Sequence, residues 1–298
     1  MKEIIEILRS VSSFADDEKA ILATVINVNG SGYRLPGARM LMLADGQTVG
    51  TVSGGCLEAD VLERAKKVRE SGKSEVFTYD TTGNEDSVFS LNMGCRGVID
   101  ILLEPVGKDS ALISEMRAAY ERREASENVE IPVAVMLYGA GADAVPFVRI
   151  ASELGWQVTV HDHRPAFLTK ARFPDAFALV SQIIDQPLTI SSDDRTAGVI
   201  MTHNYARDKI VLPALLKSNV FYVGALGPKR RTEQILDELA GDLTPEQLAR
   251  LYAPVGLDIG ADTPESIALS IIGEIQSVLK TRNGGHLRNR QGSIYDRK

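Results

Sequence analysis

Pro132-Val133-Ala134-Val135-Met136-Leu137-Tyr138-Gly139-Ala140-Gly141-Ala142-Asp143-Ala144 is the stretch that decides the fold. Its opening run is almost continuously apolar, the pattern of a strand buried on both faces of a parallel sheet. It passes into a Gly139-x-Gly141-x-x-Ala144 turn, after which helical spacing continues to Glu153. Gly155 ends that helix, Gln157 to Val160 reads as the next strand, and Asp162 stands at the strand's tip. Strand, glycine turn, helix, strand and an acid about 20 residues on form the dinucleotide fingerprint in the context it requires. Gly139 makes the turn, Gly141 followed by Ala142 lets a pyrophosphate approach, and Ala144 is the small helix–strand spacer. Asp162 is expected to hold a ribose 2′-hydroxyl and so favour NAD, whereas Arg164 is placed to take a 2′-phosphate and favour NADP. Both cofactors stay open on the sequence.

Working outward toward the C-terminus, β/α alternation continues. Strands are expected at Ala176 to Val180, Gly198 to Thr202 and Asn219 to Val223, with helices at Ala206 to Leu216 and Arg230 to Leu239. Thr202 and His203 fall at the carboxyl end of a strand, where open α/β sheets collect ligands, which makes His203 the best general acid/base candidate. His161 and His163 flank Asp162 and are expected to line the crevice. Gly224-Ala225-Leu226-Gly227 is a second glycine turn, followed by Lys229, Arg230 and Arg231 at a helix start. Thr263 caps a long apolar helix to Leu279, with Pro264 at its first position. The fold class is therefore α/β, with a Rossmann-like, doubly wound parallel sheet over residues 131–280 and a polar tail over 281–298.

Toward the N-terminus the pattern is different. Ala20 to Val28 is a β-branched strand leading into the irregular loop Asn29 to Gly37, with Arg34 and Arg39 near its end as candidate anion contacts. Ala38 to Ala44 and Gln47 to Val52 read as a hairpin joined by Asp45-Gly46, the signal of a type I′ turn. Gly50-Thr51-Val52-Ser53-Gly54-Gly55-Cys56-Leu57-Glu58-Ala59-Asp60 then changes from strand to helix, since Leu57, Val61, Leu62, Ala65 and Val68 recur at helical spacing. Ser53, Gly54 and Gly55 form the turn, and Cys56 lies near the helix N-terminus. Unpaired N–H groups and the helix dipole favour an anion there, so Cys56 reads as a nucleophile or soft-metal ligand. The alternative is a cysteine packed as a small apolar residue. A second glycine-flanked thiol, Gly94-Cys95-Arg96-Gly97, precedes the strand Val98 to Glu104. Residues 1–108 are expected as an N-terminal α+β domain, with 109–130 a helical connection.

The composition limits what else the chain can be. It has 298 residues, 44% hydrophobic and 24% charged, with a formal charge of -7. A pI near 5.3 argues against a general nucleic-acid or membrane-surface binder. Met1 to Ser13 reads as a surface amphipathic helix with no signal-peptide pattern, and no apolar run approaches the ~18 residues of a spanning helix. The expectation is a cytoplasmic protein, with Cys56 and Cys95 as free thiols and no structural zinc site.

Gly37-Ala38-Arg39-Met40, Ser53-Gly54-Gly55-Cys56-Leu57-Glu58, Gly94-Cys95, Tyr222-Val223-Gly224 and Pro254-Val255-Gly256-Leu257-Asp258-Ile259-Gly260, followed by Pro264-Glu265, together resemble the XdhC/CoxF family, the xanthine dehydrogenase accessory factors. The resemblance covers most of the chain, and Gly-Gly-Cys-Leu-Glu is its most specific part. The sequence departs from the family in carrying Arg96 after the second Gly-Cys pair, where glycine is frequent, and Tyr33 where proline is frequent. The resemblance implies an accessory domain followed by a Rossmann domain. It also implies a chaperone that binds the molybdenum cofactor (molybdopterin), holds it during sulfuration and passes it to an apo molybdenum hydroxylase of the xanthine dehydrogenase type. A cysteine desulfurase is an expected further partner, and a homodimer the expected state. On that reading Cys56 is the molybdenum ligand, with Cys95 a further candidate. The N–H groups of Gly54 and Gly55 and the Arg39 guanidinium meet anionic groups of the cofactor. Two other readings are carried: an NAD(P)-dependent oxidoreductase using Gly139, Gly141, Ala142, Asp162, Arg164, Thr202, His203 and Gly224, and a sulfur carrier with a Cys56 persulfide.

Overall fold

A computed structural model describes residues 2–82, 97–183, 188, 190–239 and 241–291. The chain forms two compact units, Met1–Pro132 and Val133–Lys298.

The first unit contains α1 (Lys2–Ser12), β1 (Ala20–Gly30), β2 (Arg39–Met42), β3 (Thr48–Gly50), α2 (Glu58–Ser71), β4 (Glu75–Asp80), β5 (Gly97–Val106) and α3 (Ala111–Arg117). Its five-stranded sheet has the order β3-β2-β1-β5-β4 and is antiparallel throughout. Alternation along β1 and β2 sorts the side chains onto two faces. Ile21, Ala23, Val25, Met40 and Met42 meet Leu57, Val61, Ala65 and Val68 of the α2 segment. Leu22 and Leu41 point the other way, onto Ile4, Ile7 and Val11 of α1 and Ile113 and Met116 of α3. Each large apolar side chain buried in this way contributes about 2 kcal/mol. The segment expected to connect two domains thus packs into the core of the first unit through α3 and the π-helical turn after it, Ala118–Arg122.

The hairpin between β2 and β3 differs from the type I′ expectation. Gly46 N–H donates to Leu43 O at 3.2 Å and Leu43 N–H to Gln47 O at 2.9 Å. Of the turn residues Ala44, Asp45 and Gly46, Gly46 alone has positive φ, at 88°, so this is a type I turn closed by a glycine bulge. Asp45 instead accepts from Gln47 N–H at 2.9 Å, which stabilises an ordinary negative φ at its own position.

The second unit contains β6 (Ala134–Tyr138), α4 (Ala144–Glu153), β7 (Gln157–Asp162), β8 (Ala178–Ser181), β9 (Thr196–Ile200), α5 (Tyr205–Lys217), β10 (Tyr222–Ala225), α6 (Lys229–Glu238), α7 (Pro245–Leu248), β11 (Leu251–Tyr252) and α8 (Pro264–Leu279). Its six-stranded sheet runs β11-β10-β9-β6-β7-β8, with every pair parallel. Counting these strands in chain order gives the Rossmann arrangement, with the order reversing between β6 and β9. Phe147, Val148 and Ala151 of α4 join Ile271, Ile272 and Ile275 of α8 on one face. Val211, Leu212 and Leu215 of α5 cover Tyr138, Ile200 and Val223 on the other. Thr263 caps α8 as expected, its side chain accepting from Ser266 N–H at 3.2 Å, with Pro264 in the first turn. No described helix is long and apolar enough to cross a membrane.

Candidate functional site

The thiol turn is built by one hydroxyl and one carboxylate. Ser53 is buried, and its Oγ accepts from Gly55 N–H at 3.1 Å and Leu57 N–H at 3.2 Å. The same hydroxyl donates to Glu58 Oε2, while Glu58 Oε1 receives Ser53 N–H at 2.9 Å and the Thr51 hydroxyl at 2.6 Å. Burial works against ionisation of Glu58, but the bonds from Ser53 and Thr51 outweigh it and lower the carboxyl pKa. This is a looped-out relative of a capping box, with the carboxylate at the first position of α2 and two glycines between it and the serine. Gly55 adopts φ +102°, the left-handed region that suits glycine, and a Cβ there would touch nothing.

The lock leaves Cys56 exposed and free. Its Sγ lies 3.6 Å from Ser53 Oγ, whose lone pairs already receive two N–H groups. Among the described residues, the N–H groups of Gly54 and Cys56 have no partner. The open donors are thus these two, in place of the expected pair Gly54 and Gly55, because Gly55 N–H is held by Ser53. Sequence reasoning placed Ser53 in the turn but not at its hydrogen-bonding centre, and it gave Glu58 and Tyr33 no role in this site. Tyr33 is 62% exposed, and its ring lies against Gly54, where a Cβ would come within 3.3 Å of the ring carbon Cγ. Cys95 lies outside the described residues.

Arg39 departs from its expected anion-binding role. It is buried in β2, with Nη2 donating to Asn128 O at 2.6 Å and Nη1 to Gly37 O at 3.3 Å. Burial lowers its pKa despite nearby Glu3. The guanidinium ties β2 to the chain after α3, so its contacts are structural. Arg34 is likewise engaged, pairing with Glu3.

In the second unit the glycine turn lies at the crevice where the strand order reverses. Gly139 has φ +116°, and a Cβ there would stand 2.2 Å from Met201 O, so close backbone approach to the end of β9 makes glycine obligatory. Gly141 faces His203, whose Cδ2 would lie 3.8 Å from an added Cβ. Ala142 is exposed, and Ala144, the first residue of α4, is fully buried. His203 Nε2 lies 3.1 Å from Asp143 Oδ2, and His203 itself holds φ +53°. Strand β9 and the glycine turn therefore bring an exposed His203 and a half-buried Asp143 together at the carboxyl edge of the sheet. Thr202 is used structurally, its hydroxyl donating to the buried Asp208, which also pairs with Arg231 at 2.6 Å.

Asp162 and Gly224 differ from expectation. Asp162 is 3% exposed, and its Oδ2 accepts Ala140 N–H at 2.7 Å and Arg164 Nη2 at 2.8 Å. Its Oδ1 accepts Arg164 Nε and Arg164 N–H, both at 2.9 Å. Burial opposes its charge, but Arg164 and the Ala140 N–H hold its pKa well below the usual carboxylate range. Both oxygens are thus committed to the glycine turn and Arg164, and no oxygen is left open for a ribose. Arg172 secures the turn from the same side, donating to Ala140 O at 3.1 Å and Gly141 O at 3.2 Å. Gly224 is buried in β10, where an added Cβ would meet Val255 at 2.5 Å, so close packing decides that glycine.

His161, beside Asp162, turns to the α5 face. Its ring stacks on Tyr138 with centroids 4.7 Å apart, and burial pushes its pKa down to about 4. No cluster of three or more potential metal ligands occurs among the described residues.

Comparison with known proteins agrees with both units. The second matches the XdhC Rossmann domain over residues 135–275, and the first matches the XdhC and CoxI family over residues 13–80. A protein of Bacillus subtilis (strain 168), named as a probable xanthine dehydrogenase subunit, is 30% identical, over 87% of this chain and 93% of that protein. The molybdenum cofactor insertion chaperone PaoD of Escherichia coli (strain K12) is 26% identical, over 90% of this chain and 86% of its own length. A crystal structure described as a xanthine dehydrogenase from Bacillus halodurans superposes with a TM-score of 0.78 at 29% identity, covering 95% of this chain and 97% of that one. With both regions matched in order and the Bacillus subtilis relative covered almost end to end, the chain belongs to the XdhC and CoxI family.

Proposed function

We propose that the chain is a molybdenum cofactor chaperone that holds its cargo at the Cys56 turn and delivers it, after sulfuration, to an apo molybdenum hydroxylase of the xanthine dehydrogenase type. The observation that carries this reading is the exposed Cys56 thiol, set on a turn that Ser53 and Glu58 lock from behind. The donor set suits such a cargo. A thiolate is a soft ligand for molybdenum, the open N–H groups of Gly54 and Cys56 suit an anionic group, and the exposed Tyr33 ring offers a face to a flat heterocycle. The insertion role in the name of the Escherichia coli relative supports the same assignment. Sulfuration would draw on a cysteine desulfurase as a second partner.

The readout is delivery. Apo hydroxylase incubated with cofactor-loaded protein is expected to gain activity, and Cys56→Ser protein loaded in the same way is expected to give little. Equal activation by both would refute a role for the thiol. A persulfide carrier is favoured instead if Cys56→Ser protein keeps the cofactor but loses cyanide-releasable sulfur. The NAD(P)-dependent oxidoreductase reading has the Gly139 turn and the His203–Asp143 pair in its favour. Against it, Asp162 keeps both oxygens on Ala140 and Arg164.

A further inference from the structure

Arg207 lies in the first turn of α5, at the carboxyl edge of the parallel sheet, and is only 7% exposed. A buried guanidinium needs acceptors for its five N–H groups and, in a low-dielectric setting, a counter-charge. Arg207 has no carboxylate partner among the described residues. The adjacent Asp208 is committed to Thr202 and Arg231. Arg207 Nη2 donates to Gln182 Oε1 at 3.0 Å, and Nη1 is buried without a partner among the described residues.

Gln182 extends this into a chain. With its oxygen turned to Arg207, its Nε2 faces His161 Nδ1 at 3.4 Å. The imidazole then accepts at Nδ1 and carries its proton on Nε2, and that Nε2 is also buried without a partner among the described residues. His161 is held edge-on to the chain by its stack on Tyr138. One amide side chain therefore joins two buried N–H groups that lack an acceptor among the described residues, and one of them belongs to a guanidinium with no carboxylate partner among those residues. A buried donor left unmet is costly, and here two of them lie on one hydrogen-bonded chain. His161 is the next-to-last residue of β7, Gln182 follows β8 and Arg207 lies in the first turn of α5 after β9, so the three run along the edge where such sheets bind ligands.

We infer that Arg207, Gln182 and His161 form a binding site for a phosphoryl group or a similar small oxyanion on the α5 face of the second unit, independent of the Cys56 turn. The oxyanion accepts from Arg207 Nη1 and His161 Nε2 and neutralises the guanidinium. Free phosphate and the phosphate of a nucleotide share this chemistry, and titration separates them.

The test is isothermal titration of the full chain in phosphate-free buffer with inorganic phosphate and, separately, with ADP. Saturable one-to-one binding is expected for at least one of them. Loss of a charge-assisted hydrogen bond in Arg207→Met should weaken it by about ten- to a hundredfold. His161→Phe keeps an aromatic ring against Tyr138 and removes both the Nε2 donor and the Nδ1 that accepts from Gln182, so it should weaken binding by about tenfold, and it serves if Arg207→Met does not fold. Binding of ADP but not phosphate assigns the site to a nucleotide. No binding of either ligand, or binding unchanged in both variants, overturns the inference.

Discussion

Replacing His161 with phenylalanine should flatten the acid side of this protein's stability profile. The imidazole is buried against Tyr138, and burial lowers its pKa from 6.5 to about 4. A depressed folded-state value means the unfolded chain takes up a proton first as the pH falls. Stability from the neutral imidazole is therefore complete above pH 6.5 and is lost as the pH falls toward 4. At about pH 5 the unfolded histidine is almost fully protonated and the folded one is not, which costs the native state about 2 kcal/mol relative to about pH 7.5. The groups facing His161 do not titrate in this window. Gln182 is neutral, the Tyr138 pKa is raised by burial, and the neighbouring Asp162 carboxyl is held well below its usual range. Trp156 is the only tryptophan of the chain and lies buried in the core of the same unit, so its fluorescence reports unfolding of that unit alone. Urea titrations at about pH 7.5 and pH 5 should show wild type losing about 2 kcal/mol more than His161→Phe. Equal losses in the two proteins would refute the placement of a neutral, buried imidazole at this position.

Three further outcomes follow from the same geometry. Gly139→Ala puts a methyl group against Met201 O in a positive-φ backbone, so it should lower the urea midpoint of the Trp156 signal by an amount corresponding to about 3 kcal/mol or more, with retention of wild-type stability as the contrary result. Glu58→Ala leaves the buried Ser53 without its acceptor and should destabilise the first unit by about 2–3 kcal/mol, seen as faster hydrogen exchange across residues 51–58, whereas unchanged exchange would contradict the lock. Asp162→Asn should cost about 2 kcal/mol near neutral pH, and because the wild-type carboxyl is depressed, that difference should close as the pH falls below about 4; a gap that persists in acid would contradict the ion pair with Arg164.

What the sequence disclosed was the part governed by local pattern. The apolar run into Gly139, the spacer Ala144 and the Thr263-Pro264 start of α8 each depend on neighbours within a few residues, and each stands where the pattern placed it. The hairpin turn was not legible because Asp45-Gly46 is compatible with two turn types, and the hydrogen bond from Gly46 N–H to Leu43 O decides between them. Arg39 reads as a free cation until Asn128, far along the chain, folds back onto it. Asp162 looks available for a ribose because nothing in its spacing reveals that Ala140 N–H and Arg164 take its oxygens. Ser53 and Glu58 carried a signal, a hydroxyl before a helix and an acid in its first turn, but the two inserted glycines stretch it beyond the usual capping-box spacing. Gln182 and Arg207 gave none, since their pairing joins segments that share no sequence period.

If Cys56 holds the molybdenum cofactor, the most direct test is retention of that cofactor by the purified chain. Wild-type and Cys56→Ser protein would be loaded under reducing, oxygen-free conditions and desalted, with molybdenum and pterin both quantified. Near-equal molybdenum and pterin are expected on the wild type, with at least about a tenfold loss of both from the variant. Equal retention by the two proteins would contradict the assignment and move the cofactor away from the thiol turn.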